Sequence, residues 1–270
     1  MPKPRLLLHI GAPKTGTTSF QSLLFNQQKA FRRHGYNPVF LNTPASQELA
    51  ELFGCLESNH FTQKRGLHSP YQAALFFWPL LLKIKARLFL ASRRKGVALL
   101  SSEHLFLRLI SEREINHFVL FLRKYFSNIQ VVLYHRTEDS LKKSLYWEYL
   151  KSGGRATYDG FNEVSHKPEH NCDWAAHAWS NAVGKDAVTV RPYEGTPDVV
   201  DDILKQVLHI HDETLYKAKD PTKKRENTSP SFDKFEQLRQ FNIAHPETDR
   251  NGTFMAENKA KRHAFVEQLK

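Results

Sequence analysis

Short apolar runs alternate along this chain with longer stretches in which apolar residues recur every three or four positions. Residues 6–10 form a run of strand length, closed by Gly11, and helical spacing follows from about residue 17 to 31. A short second strand is predicted at 37–41. Further runs follow at 97–100, after the basic turn Arg93-Arg94-Lys95-Gly96, at 129–134, which is β-branched, and at 187–190. Between them lie helical patterns near 112–125, 139–150, 173–183 and 199–208. Such alternation predicts an α/β fold, a three-layer, mostly parallel sheet with helices on both faces. No internal repeat or low-complexity segment interrupts it, and the polar, basic stretch 217–230 reads as a loop. The expectation is a single domain spanning 1–270, closed by a helix around 232–242.

Composition narrows the class. Of 270 residues, 40 % are hydrophobic and 12 % aromatic, a globular balance. A chain of this length buries roughly 70–75 % of its unfolded surface, so one large core is feasible. Two cysteines, Cys55 and Cys172, exclude a disulfide scaffold and a four-cysteine zinc module, and both are expected to be packing residues in a reducing compartment. No stretch reaches the ~18 apolar residues of a transmembrane helix. The nearest, residues 73–82, contains Pro79 and runs into Lys83, Lys85 and Arg87; it reads as a buried or surface-lying helix, with peripheral membrane contact left open. The first residues run directly into the first strand, without a signal-peptide core or cleavage site, which points to a cytoplasmic protein or a piece of a longer one. Lys and Arg number 39 against 28 Asp and Glu, a net charge of +11. That excess is either a solvated surface or a funnel for an anionic ligand.

The most informative segment is Gly11-Ala12-Pro13-Lys14-Thr15-Gly16-Thr17-Thr18, between a strand and a helix. Backbone N–H groups of such a turn, with the start of the helix, cradle an anion. Against the phosphate-loop pattern G-x-x-x-x-G-K-[ST], Gly11, Gly16 and Thr18 fit, but Thr17 stands where the nucleotide-gripping lysine belongs, and the lysine is at position 14. No hydrophobic strand ends in an Asp suited to Mg²⁺; the run 129–134 ends in His135-Arg136. An anion site without a metal follows more naturally than an NTPase.

Pro13-Lys14-Thr15-Gly16-Thr17-Thr18 resembles the 5′-phosphosulfate loop of the sulfotransferases that use PAPS, 3′-phosphoadenosine 5′-phosphosulfate. That family places a second motif downstream, a strand ending in Arg with Ser eight residues later; here the strand ends at Arg136, and Ser144 lies eight on. The resemblance extends to Leu100-Ser101-Ser102-Glu103-His104-Leu105, Val190-Arg191-Pro192-Tyr193-Glu194 and Asn227-Thr228-Ser229-Pro230-Ser231, stations similar to those of bacterial carbohydrate-type members. It implies the phosphate-loop-like sulfotransferase fold, PAPS as donor, PAP as product and no metal. Arg136 and Ser144 would share the 3′-phosphate. Tyr193 would lie on the adenine side, its alternative being a half-buried core aromatic. Lys224 and Arg225, in a basic loop, would clasp the 3′-phosphate, though the family's R-K-G signature is missing and a merely solvated loop is the alternative.

Sulfuryl transfer, like phosphoryl transfer, needs in-line positioning and neutralisation of charge on the bridging oxygen. Lys14 is the candidate for that charge, while N–H groups from Thr15 through Gly16, Thr17 and Thr18, with the two threonine hydroxyls, hold the 5′-phosphate. The acceptor's proton needs a general base. Glu103 and His104 follow the strand 97–100 side by side, and either one can face the acceptor; Glu103 as a helix cap is the structural alternative. Ser102 is a weaker candidate for orienting substrate, and His9 reads as a satisfied core histidine. No H-E-x-x-H or H-x-x-E-H pattern occurs among fourteen histidines, so no catalytic metal is expected. Acceptor specificity is expected in a helical insertion at roughly 43–94, and the resemblance favours a glycan acceptor over nucleic acid. Two other classes compete: an Mg²⁺-dependent nucleotide kinase and a non-catalytic module that binds polyanions.

Overall fold

The computed structural model describes residues 3–41, 46–54, 66–67, 69–165, 171–218, 230–246 and 255–269. The chain gathers into two compact units, 1–136 with 168–223, and 137–167 with 224–270.

The first unit is built on five strands: β1 (Arg5–His9), β2 (Tyr36–Pro38), β3 (Val97–Ser101), β4 (Asn128–His135) and β5 (Val188–Pro192). Their order is β2-β3-β1-β4-β5, and every pairing is parallel. The expected parallel α/β sheet is thus the fold. The first described helices of this unit are α1 (Thr17–Asn26), α2 (Gln28–Arg33), α3 (Gln47–Phe53), α4 (Pro70–Ser92), α5 (His104–Arg108) and α6 (Glu112–Leu122). β1 sits in the middle and is covered on both faces, which is why it reads as an unbroken apolar run rather than an alternation. Leu7 faces one core, with Phe20, Leu23 and Leu24 of α1 and Phe31 of α2. Its neighbours Leu6 and Leu8, fully buried, face the opposite side. Each such leucine contributes about 2 kcal/mol of transfer free energy.

The second unit begins with α7 (Glu138–Lys151) and α8 (Tyr158–Ser165). After these the chain returns to the first unit as α9 (Cys172–Val183), β5, α10 (Val199–Asp202) and α11 (Glu213–Lys217), then closes the second with α12 (Phe232–Ala244) and α13 (Ala256–Gln268). The second unit is held by Tyr146, Leu150, Phe235, Leu238, Val266 and Leu269. Asn242, buried, donates to the carbonyls of Leu150 and Gly154, both at 2.8 Å.

Some boundaries shift from those predicted. The helix expected over 17–31 breaks at Gln27, where φ −111° and ψ 28° leave the helical region. The strand expected at 37–41 covers Tyr36–Pro38. The helical pattern 199–208 passes at Ile203–Val207 into a wider π turn. The described part of 43–94 holds α3 and α4. No helix among the described residues is long and apolar enough to cross a membrane.

Candidate active site

Because β1, β3, β4 and β5 are parallel, their carboxyl ends open onto one edge, where open α/β sheets take their ligands. Gly11 to Gly16 leaves that edge from β1. Ile10 N–H donates to the Val132 carbonyl at 3.0 Å, tying the loop's first residue to β4. Lys14 and Gly16 both have left-handed backbones, φ 63° and 80°. Glycine adopts that region freely and lysine only under constraint, so the loop's shape is enforced by its surroundings. Thr15, fully buried, donates its hydroxyl to the Ala12 carbonyl at 2.7 Å. A Cβ at Gly11 would lie 2.2 Å from Oγ1 of Thr17, so only glycine lets the loop approach the helix start this closely. Gly16 caps α1 without any side-chain hydrogen bond, and no acidic residue stands in the helix's first turn. The positive end of the α1 dipole is therefore not neutralised by a side chain of its own first turn. Thr17 is buried and Thr18 exposed.

Glu103 follows β3 at the same edge. It stands at the N-terminal boundary of α5 but makes no capping hydrogen bond, so the helix does not employ its carboxylate. Burial pushes its pKa above the ordinary carboxylate value, and the Lys14 ammonium partly offsets this. The pair lies within electrostatic reach across the sheet edge. His104 behaves differently. Burial, helped by Arg108, lowers its pKa to about 4, and its Nδ1 is buried without a hydrogen-bond partner.

Arg136 follows β4 and is only 5 % exposed. Its guanidinium donates to the Pro13 carbonyl at 3.4 Å, reaching into the glycine loop, and stacks 4.9 Å from the centre of the Tyr193 ring. Its own N–H is directed at the Cys172 sulfur, at 3.4 Å. Desolvation pulls the Arg136 pKa down, opposed by Tyr193, Glu194 and Cys172. Tyr193 N–H bonds the His135 carbonyl at 2.8 Å, continuing the sheet's pairing beyond β5. The turn that carries it is anchored underneath: the Arg191 guanidinium grips the Asp202 carboxylate through Nε and Nη2, and the Tyr134 hydroxyl donates to the same carboxylate at 2.5 Å.

The structure thus brings Lys14, Thr15, Gly16, Thr17, Thr18, Glu103, Arg136 and Tyr193 to one edge of the first unit. Ser144 stands half-buried on α7, in the second unit. Lys224 and Arg225, with Asn227 to Ser229, lie outside the described residues. Ser102 is fully buried, its hydroxyl 3.4 Å from the Ser46 carbonyl and its N–H on His9, which makes it a tie between segments. His9 was expected to be a satisfied core residue and is only half so. Nδ1 meets Ser101 Oγ at 2.9 Å, whereas Nε2 is buried without a partner, and burial lowers its pKa to about 4. Its ring lies edge-on to Phe20 and Tyr134. Sequence reading missed Asp202 as the anchor beneath Tyr193 and Cys172 as the neighbour of Arg136. Asp202 reads there as one acid in an ordinary helix start, and burial raises the Cys172 thiol to about 11, the mark of a packing residue. Among the described residues no three His, Cys, Asp or Glu side chains gather as metal ligands do.

Comparisons with known proteins are sparse. No family model and no curated protein matches the chain. A solved sulfotransferase from Alicyclobacillus acidocaldarius is 12 % identical, aligned over 99 % of this chain and 97 % of that one, with a TM-score of 0.45. A gluconokinase from Sinorhizobium meliloti 1021 is 14 % identical over 81 % of this chain and 95 % of that one, with a TM-score of 0.34. The sulfotransferase domain of the curacin biosynthetic pathway is 12 % identical over 80 % of this chain and 76 % of that one, at 0.32. Likeness at this depth gives no residue a role.

Proposed function

We propose that this chain is a sulfotransferase that moves a sulfuryl group from PAPS to a hydroxyl or amine, with a glycan as the acceptor class. The observation that carries this reading is the meeting of Lys14, on a constrained glycine loop, with Glu103, a half-buried carboxylate that its helix leaves uncapped. The donor's chemistry fits the residues present. An anion suits the start of α1, which has no acidic side chain, and a nucleotide suits the stacked Arg136 and Tyr193 beside it.

Backbone N–H groups of the loop bind the 5′-phosphate and hold the sulfur in line with the acceptor. Glu103 takes the proton from the acceptor oxygen or nitrogen as that atom bonds to sulfur. The bond from sulfur to the bridging phosphate oxygen breaks, and Lys14 neutralises the charge left on that oxygen. PAP departs with the bridging oxygen. His104 suits the role less well, since burial, helped by Arg108, pulls its proton affinity down while burial raises that of Glu103.

Calorimetric titration with PAP in EDTA, beside ATP with and without Mg²⁺, tests the reading. Metal-free binding of PAP in preference to ATP supports it. A kinase is the second reading, favoured by one observation: Glu103, at the end of the strand beside the loop strand, is a carboxylate placed where it could hold Mg²⁺. Binding of ATP only with Mg²⁺, and none of PAP, would replace the first reading with this one.

A further inference from the structure

Helix α4 has 23 residues, about 35 Å at 1.5 Å per residue. Phe77, Ile84, Leu88 and Ala91 are buried and form its inner edge. An ordinary surface helix is polar on the other side. Here Tyr71, Leu75, Trp78, Leu82 and Phe89 recur at helical spacing along one line, and all are exposed, Leu75 at 67 % and Trp78 at 55 %. Patches of this kind mark an interaction surface.

Charge indicates what covers it. From Pro70 to Gly96 the sequence has six cations, Lys83, Lys85, Arg87, Arg93, Arg94 and Lys95, and neither Asp nor Glu. Beside the stripe, α4 also helps form a cavity of about 240 Å³ whose lining includes Phe25, Arg32, Phe40, Arg87, Leu90 and Arg94, with no acidic residue. Two of its three arginines are held in place: Arg32 donates to Gln28 Oε1 at 2.9 Å and Arg87 to the Phe40 carbonyl at 3.2 Å. Leu90, exposed on the helix, joins the cavity to the stripe.

We propose that α4 docks this chain on an anionic phospholipid bilayer. The aromatic and aliphatic stripe enters the boundary between headgroups and acyl chains, the flanking cations meet the surface charge, and the arginine cavity receives a lipid phosphate. A second copy of the chain fits less well, because two α4 helices with their following turns, face to face, would bring twelve cations together with no carboxylate on either.

The test is flotation of the full chain with vesicles of phosphatidylcholine alone and of phosphatidylcholine mixed with phosphatidylglycerol, over a range of salt. Binding to the mixed vesicles, weakening as salt rises, is expected, with little on phosphatidylcholine alone. The triple variant Leu75→Ser, Trp78→Ser, Leu82→Ser should lose at least tenfold in partitioning, and Lys83→Gln with Lys85→Gln about fivefold per charge removed. All five positions lie on the helix surface, so thermal melts should match wild type. Three results would overturn the proposal: no binding to mixed vesicles at low salt, binding that the triple variant leaves unchanged, or a wild-type dimer that the triple variant splits. The readout needs neither donor nor acceptor, so it stands or falls independently of the sulfotransferase reading.

Discussion

Glu103 is held between two forces. Desolvation favours its neutral form, and the Lys14 ammonium favours its carboxylate; desolvation is the larger, so its pKa rises. A carboxyl with a raised folded-state pKa destabilises the fold once pH climbs past its unfolded value, so at neutral pH this residue costs stability. Glu103→Gln is therefore expected to melt no lower than wild type while losing at least about 10²-fold in turnover, as removal of a general base requires. The acid limb of kcat/KM should lie above the ordinary carboxylate range and disappear in the Gln variant. Loss of activity with a fall in melting temperature would return Glu103 to a structural role. Lys14→Ala is expected to cut kcat by about 10²–10³-fold, the scale of losing one charge-stabilising group. Its melting temperature should fall only slightly, since Lys14 is exposed, alanine meets the same φ 63° constraint, and the ammonium's attraction for the Glu103 carboxylate is lost.

The elements differ in how plainly the sequence announces them, for a physical reason. β1 is covered on both faces, and so is β4 from Val131 to Tyr134, so these residues form continuous apolar runs. β5, half exposed along its length, still shows because Val188 and Val190 are β-branched. The helix 256–268 escaped notice because few of its side chains are apolar. It is fixed by Val266 and by the Arg262 guanidinium, which donates to the Lys151 carbonyl at 2.9 Å. α3 falls within the helical insertion expected at 43–94, but its bounds were not legible because Glu48 and Glu51, both buried, break the apolar period. At the candidate site the glycine loop and the Arg136 strand end were legible as motifs. The anchoring of Tyr193 by Arg191 and Asp202 was not, since no spacing rule predicts which acid an arginine will meet. In the second unit, Asn242→Ala should destabilise by about 1 kcal/mol or more, because it leaves the part-buried Gly154 carbonyl without its amide donor and leaves Leu150 with only the Gly153 N–H. Chemical denaturation would show this, and Asn242→Asp, which cannot donate, should do no better.

For the molecule as a whole, strand order decides what becomes neighbours. Alternating elements imply a parallel sheet but not that β1 lies between β3 and β4, and that order is what draws Lys14, Glu103 and Arg136 onto one edge. A ligand that bridges these segments stabilises the folded state by mass action, about 2.7 kcal/mol at a hundredfold excess over its Kd. PAP without metal should accordingly raise the melting temperature by several degrees. Arg136→Lys, which keeps the charge but loses the stacked planar guanidinium, should shrink that rise more than it changes the melting of the unliganded protein.

The central place of β1 also has a consequence during synthesis. This strand leaves the ribosome before either of its flanking partners, which end at Ser101 and His135. At ~5–20 residues per second, β1 waits on the order of ten seconds before both its edges are paired. During that interval Leu6-Leu7-Leu8 is a short, sticky, unpaired segment of the kind that seeds aggregation. Lys3, Pro4 and Arg5 immediately precede it, two cations and a residue that cannot donate to a β-ladder. Charge and the missing amide proton oppose pairing of that segment with another chain until β4 arrives.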